Sequence, residues 1–220
     1  MVRLKGIAWL QRRGRWSHWV VAGGGGLLLG LLALGLFRRG PVAAIAAAVG
    51  DEVGLRLVAE QADHLRVAAN EFGLDPYLLA GIMYSESRGR SGQISSAGAL
   101  GLMQLGMPAA RDAAARLDLD APSQDAVLHD DDLNVRLGAC HLAWLLRHAG
   151  DWDLEAVLVS YNAGRAKLFR WIAEHGSYRD WCRSEERAEA AGEPSTGALR
   201  YARQCLLAAE RLRDREALSP

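Results

Sequence analysis

From Asp51 onward, apolar positions recur at intervals of three and four residues. No run alternates with the period of two that a half-buried strand requires. Leu65, Ala68, Ala69 and Phe72 share one helical face, and Gly73 stands where that helix would end. Asp75 followed by Pro76 reads as the cap and first residue of a second helix, with Leu79, Ile82, Met83 and Glu86 on one face. Ala121 to Gln124 reads as a turn. The acids 130–132 suit the positive end of a helix carrying Leu133, Leu137, Cys140, Trp144 and Leu145, closed by Gly150. A further helix runs from Asp153 through Val157, Leu158 and Tyr161 to Gly164. Another covers 165–175 with Leu168, Phe169, Trp171 and Ile172. Residues 183–196 are polar and read as a loop, and Leu199 to Arg213 reads as a closing helix. The expectation is an all-α domain.

The first 39 residues follow a different pattern. Trp19 to Phe37 is an uncharged run of 19 residues, which as a helix spans roughly 28 Å, about one hydrocarbon core. Five basic residues precede it and Arg38 and Arg39 follow. That bias predicts a cytoplasmic N-terminus with the rest of the chain outside, single-pass in an inner membrane. Gly23–Gly26 weakens the helix. A cleaved signal peptide is the alternative, with small-residue sites at Ala44-Ile45-Ala46 and Ala46-Ala47-Ala48. The division expected is 1–18 cytoplasmic, 19–37 transmembrane, 38–54 linker and 55–214 catalytic domain, with Ala-rich Pro41–Gly50 open to being the start of a juxtamembrane helix.

The net charge of zero conceals an asymmetry. Seven basic residues and no acid occur before residue 40; removing them from the 26 Lys and Arg leaves 19 against 26 Asp and Glu. An acidic domain argues against nucleic acid as a partner. An exported context permits disulfides, so Cys182 and Cys205 are a candidate pair, with no disulfide as the equal alternative, while Cys140 reads as a buried thiol. His64, His129, His141, His148 and His175 form no zinc-ligand pattern. Asp130-Asp131-Asp132 lacks the spacing of a calcium loop. Neither a metal nor a cofactor is expected. Trp144, Trp152, Trp171 and Trp181 read mostly as core, one or two of them offering a floor for a sugar.

The chemistry centres on Glu86-Ser87. Glu86 ends an apolar helix, and the next acid in the chain is Asp112. Its place on the apolar face favours the protonated carboxyl, the state a general acid needs. The plain alternative is a helix end with its head in solvent. Ser95 and Gly98-Ala99-Leu100-Gly101-Leu102-Met103-Gln104 follow. The glycines allow close approach of a ligand, Met103 offers an apolar floor, and Gln104 offers an amide for sugar hydroxyls or acetamides. A tight loop against the core is the alternative. Ser160-Tyr161-Asn162-Ala163-Gly164 brings a phenol and an amide to a helix end, and Tyr201 brings another phenol on the last helix. Capping and packing are their bland readings.

Taken together, Glu86-Ser87, Gly98–Gln104 and Tyr161–Gly164 resemble, in order and spacing, the catalytic domain of the soluble-type lytic transglycosylases, of the lysozyme-like superfamily. Asp75-Pro76, Asn134, Gly138, Leu142 and Tyr201 extend the match over roughly residues 55–212. The resemblance implies a lysozyme-like helical fold and cleavage of the β-1,4 bond from N-acetylmuramic acid to N-acetylglucosamine in peptidoglycan, leaving 1,6-anhydro ends. It makes Glu86 the single acid/base, with Ser87 and Tyr161 orienting it or the substrate acetamide. Ser95, Gly98, Ala99, Gly101, Met103, Gln104 and Asn162 would border the saccharide, with Tyr201 packed nearby. Gly89 and Ser91 depart from the family's aromatic and Pro and predict a looser loop. Gly197 stands where the family often has Glu. A single acid fits this chemistry, because a second carboxylate is what ordinary glycosidases use as nucleophile or base. A hydrolytic muramidase on the same scaffold is the nearest rival, and a non-catalytic glycan-binding module of an envelope assembly is the rival of another class. An envelope-spanning machine is an open option as partner.

Overall fold

The computed structural model describes residues 41–219. The basic segment and the apolar run at 19–37 lie outside the described residues. Among those described, no helix is long and apolar enough to cross a membrane. The chain divides into residues 1–50 and a compact unit, Asp51–Pro220, which carries the site.

The described elements are α1 (Pro41–Ala59), α2 (Ala62–Phe72), α3 (Pro76–Ser87), α4 (Met107–Arg116), α5 (Gln124–His129), α6 (Asp131–Arg147), α7 (Leu154–Ala163), α8 (Arg165–His175), α9 (Tyr178–Ala191) and α10 (Ala198–Asp214). No strand occurs among the described residues; two isolated bridges, Ile94 with Leu100 and Leu100 with Leu105, tie the segment between α3 and α4. The caps follow the sequence pattern. Asp75 accepts from the Tyr77 N–H at 3.0 Å, Asp130 from Leu133 at 3.0 Å and Asp153 from Ala156 at 2.9 Å. Each such cap contributes about 1 kcal/mol.

Residues 41–54, open in the sequence to a linker or, over Pro41–Gly50, to the start of a juxtamembrane helix, belong to α1, whose Leu55 and Val58 are buried. Pro41 suits the first turn of a helix and the alanines that follow are strong helix formers. Residues 183–191, assigned to a loop, are helical. Ser177 caps α9 by accepting from the Asp180 N–H at 3.1 Å, and only Trp181, Cys182 and Glu185 of this helix are buried. So thin an apolar stripe looks like a loop when polarity alone is read, although Glu, Arg and Ala favour helix. The short helices α4 and α5 were also not anticipated; α4 buries only alanines, Ala110, Ala113 and Ala114.

The core is built around α3, buried on nearly every side from Leu78 to Tyr84. It lies along α10 so closely that a Cβ on Gly81 would collide with the Cys205 carbonyl. That proximity brings the closing helix beside the last turn of α3. All three cysteines are free and buried, so the candidate pair Cys182–Cys205 is not formed. Cys205 packs beneath α3 near Ser85, whereas Cys182 lies 4.0 Å from Glu155 Oε1 on another part of the core.

Candidate active site

Glu86 occupies the last turn of α3 and opens into a cleft of about 320 Å³ lined also by Ser87, Arg90, Gln93, Ile94, Ser95 and Gln104. Burial pushes its carboxyl up from an ordinary 4.5 to about 7, and a hydrogen bond from Tyr201 pulls the other way. The Tyr201 O–H donates to Glu86 Oε1 at 2.6 Å. A donor aimed at the carboxylate stabilises its ionised form. Glu86 is therefore poised near neutrality, able to give up a proton and to take it back. The phenols of Tyr161 and Tyr201 are held well above their usual range, first by burial and then by neighbouring acidic groups including Glu86, so both stay donors.

Tyr161 comes from α7. Its O–H donates to the Met103 carbonyl at 3.2 Å. Ser87 is buried and its hydroxyl donates to the Met83 carbonyl, one turn back in its own helix. The hydroxyl that meets Glu86 is that of Tyr201, whereas the family resemblance implies Ser87 and Tyr161 for orienting the acid or the substrate acetamide. Met103, expected as an apolar floor, is fully buried and packs against Gly138.

The segment from Gln93 to Leu105 folds on itself. Ser95 Oγ accepts from the Ala99 N–H at 3.0 Å and the Ser95 carbonyl accepts from Gly98 at 2.9 Å. Leu100 and Leu105 exchange backbone hydrogen bonds at 3.0 and 2.9 Å. The Gln104 amide donates to the carbonyls of Gly101 and Gln93, at 2.8 and 3.1 Å, from a backbone at φ 46°. What fastens this segment to the core is Asn134, fully buried in α6. Its Oδ1 accepts from the Met103 N–H at 2.8 Å, and its Nδ2 donates to the Leu100 and Val127 carbonyls at 2.9 and 2.8 Å. Gly101, at φ +71°, lies against this amide with no room for a Cβ. Ser95, Gly98, Ala99, Gly101 and Gln104 thus come together within one turn-rich segment beside Glu86, while Asn162 is exposed at the end of α7.

The loop after Ser87 is not loose. Arg88 caps α3 in the left-handed conformation at φ 57°. Its guanidinium donates to Asp51 of α1 at 2.6 Å and also meets the Tyr84 hydroxyl, which donates to the same Asp51 at 2.9 Å. Gly89, at φ +71°, packs on the α1 backbone, where a Cβ would come within 2.5 Å of the Val58 nitrogen. Ser91 Oγ donates to Asp131 at 2.7 Å. A small residue at 89 lets the loop lie flat on α1. At the other end of the site, Gly197 opens α10 at φ 74°. The turn before it is held by buried Glu185, which accepts from the Thr196 N–H at 2.9 Å and its hydroxyl at 2.6 Å.

Two functional supports escaped the sequence reading. Asn134 was noted only as part of a resemblance, although a lone amide on an apolar helical face is a signal for a buried hydrogen-bonding role. Asp51 carried no signal at all, since its partners Tyr84 and Arg88 are more than 30 residues away. Among the described residues no group of three or more His, Cys, Asp and Glu side chains is arranged to hold a metal.

A family model described as the transglycosylase SLT domain matches residues 63–183. The chain is similar to the endo-type membrane-bound lytic murein transglycosylase A of Klebsiella pneumoniae, 34% identical over 115 residues that make up 49% of this chain and 57% of the relative. It is similar to a transglycosylase of Enterobacteria phage PRD1, 33% identical over 111 residues, 50% of this chain and 37% of the phage protein. The chain thus spans about half or less of the length of these curated relatives. The fold matches a solved structure of lytic transglycosylase Slt from Pseudomonas aeruginosa, an inactive Glu-to-Gln mutant, with a TM-score of 0.58 at 23% identity, over 70% of this chain and 24% of that one. With the family model covering more than half of its length, this chain belongs to the transglycosylase SLT domain family.

Proposed function

We propose that this protein is a peptidoglycan lytic transglycosylase that cleaves the β-1,4 bond between N-acetylmuramic acid and N-acetylglucosamine without water, leaving 1,6-anhydro ends, with Glu86 as the single acid/base. The observation that carries this reading is one carboxyl in a cleft, pushed up to about 7 by burial and met by the Tyr201 hydroxyl, with no other carboxylate among the described lining residues. Glu86 first protonates the glycosidic oxygen as the bond to the muramoyl carbon breaks. Positive charge develops at that carbon, and the muramoyl acetamide stabilises it in place of a second protein carboxylate. The Glu86 carboxylate, steadied by Tyr201, then takes the proton of the sugar's own 6-hydroxyl as that oxygen attacks. The proton balance closes, and Glu86 ends as it began.

Ser95, Gln104, Asn162 and the backbone of Gly98–Gly101 border the saccharide in this reading. Met103 and Tyr161 hold the segment in place through the bond from Tyr161 to the Met103 carbonyl. Residues 19–37 are an inner-membrane anchor that holds the domain at the outer face; the name of the Klebsiella relative, membrane-bound, supports that location. Mass spectrometry of sacculi digested with the full chain tests the chemistry. Anhydro-muramoyl ends are expected, and reducing ends in their place would establish a hydrolase instead. Retention of the chain in carbonate-washed membranes tests the anchor, and its release would remove it.

A further inference from the structure

The helix α1 lies outside the segment that the family model matches, 63–183, yet it reaches the end of the candidate catalytic helix through one carboxylate. Asp51 Oδ1 accepts from the Arg88 guanidinium at 2.6 Å and from the Tyr84 hydroxyl at 2.9 Å. Its other oxygen faces Arg211 of α10 at 3.8 Å. Arg88 also meets the Tyr84 hydroxyl, and its guanidinium carbon lies 4.3 Å from the centre of the Tyr84 ring. Room for this stack comes from Gly54 of α1, where a Cβ would stand 3.2 Å from both the Arg88 stem and the Tyr84 ring. The left-handed backbone at Arg88, φ 57°, is uncommon for a residue with a side chain and persists where its surroundings hold it.

The place of this guanidinium matters because Arg88 follows Glu86 by two residues and borders the same cleft. A cation within about 4–6 Å of a carboxyl favours the ionised form and lowers its pKa by about 1 to 3. Such a contact would undo what burial does to Glu86. In the structure burial raises the Glu86 carboxyl and the Tyr201 bond lowers it, with no cation contributing. The pull of Arg88 falls on Asp51 instead, whose carboxyl it holds below the ordinary value, with Tyr84 adding to the effect. The other titratable groups facing Glu86 are uncharged at pH 7. Burial holds the phenols of Tyr201 in α10 and Tyr161 in α7 well above their usual range, and pushes the Cys205 thiol of α10 up to about 12. Arg90 at the rim is exposed, and the surrounding electrolyte screens its charge. Without Asp51, the Arg88 and Arg211 guanidiniums would repel each other, and Glu86 would offer Arg88 an anion two residues away.

We propose that Asp51 is a positioning residue of the active site: it holds the Arg88 guanidinium on α1 and off the Glu86 carboxyl, which leaves the acid free to act as a proton donor. The proposal rests on the reading of Glu86 as the acid/base and gives α1 a working part in it.

The test reads the protonation of Glu86 directly, apart from catalysis. The full chain, in detergent, is labelled with carbon-13 at the glutamate carboxyls and titrated by NMR, the Glu86 signal being the one that Glu86→Gln removes. A midpoint of about 7 is expected for the unaltered chain. Asp51→Ala is expected to move it about 1 pH unit lower. Adding Arg88→Gln to Asp51→Ala is expected to return the midpoint to that of the unaltered chain, and Asp51→Glu to keep it there. The alkaline limb of kcat/KM on sacculi is expected to move with the midpoint in each variant. A loop that is merely loosened would shift the single and double variants alike. An unmoved midpoint in Asp51→Ala, or a lowered one that persists in the double variant, would therefore overturn the proposal. Should Asp51→Ala fail to fold by circular dichroism, Asp51→Asn keeps the shape without the charge; a shift in the same direction is expected, and none would overturn the proposal. Midpoints that move as stated in a chain that cuts no sacculi would remove the enzymatic reading and leave the role of Asp51. Active enzyme with a fixed midpoint would remove that role alone.

Discussion

Replacing Glu86 with Gln tests the electrostatic argument apart from any activity. The carboxyl is pushed up to about 7 in the fold by burial, against an ordinary value of 4.5. Below 4.5 the folded and unfolded chains both hold the proton, and the group costs nothing. Between 4.5 and 7 the unfolded chain releases it while the folded chain keeps it, so stability falls as pH rises. Above 7 both are ionised, and the folded state carries a constant penalty of about 3 kcal/mol. Gln keeps the shape, still accepts from the Tyr201 hydroxyl and cannot ionise. The expected outcome is near-equal stability of the two proteins at pH 4. At pH 8 the variant is expected to be more stable by about 3 kcal/mol, which for a domain of this size raises the melting temperature on the order of 8 °C. Urea or thermal unfolding at both pH values measures this, and the same variant should lose its sacculus-clearing activity by at least 100-fold. Stability profiles that run parallel from pH 4 to 8 would refute the claim that burial of this carboxyl is what raises it. A variant that stays fully active would refute its catalytic role.

Other outcomes follow from the same geometry. Cleavage by the unaltered enzyme should decline above about pH 7, as Glu86 loses the proton it must donate. Tyr201→Phe removes the donor that favours the carboxylate; the alkaline limb should move to higher pH and turnover should fall about 10-fold. Asn134→Leu leaves the Met103 N–H and the Leu100 and Val127 carbonyls without their partner, and should cost about 3–5 kcal/mol in urea unfolding. Gly89→Ala should disturb the loop after Ser87, because its Cβ would meet the Val58 backbone nitrogen at 2.5 Å from a left-handed conformation. A loss of about 1–3 kcal/mol is expected, seen as a lower melting temperature.

Much of the helical plan was legible because it rests on local chemistry. Asp75, Asp130 and Asp153 cap helices by reaching N–H groups two or three residues away, and Gly73 closes α2 at φ 65°. The three- and four-residue spacing of Leu79, Ile82 and Met83 fixed the buried face of α3. The misreading of residues 183–191 has a local cause: the helix forms through propensity and a few contacts, and its apolar stripe is too thin to show a clear period, so polarity alone reads it as a loop.

For the site, local pattern named Glu86, Tyr161, Tyr201 and the Gly98–Gln104 segment, but not what each touches. The sequence by itself determined an all-α chain, one acid on an apolar face, and the glycines that let a segment close over an amide. The tertiary structure decided that Tyr201 and not Ser87 meets Glu86, that Met103 is buried against Gly138, and that Asp51 clamps Arg88. Caps and periodicity act within a turn or two of chain, where sequence spacing equals spatial spacing. These other pairings join residues between 31 and 115 positions apart, and the packing of α3 against α10, of α1 against the loop after Ser87, and of α6 against the Gly98–Gln104 segment brings them together.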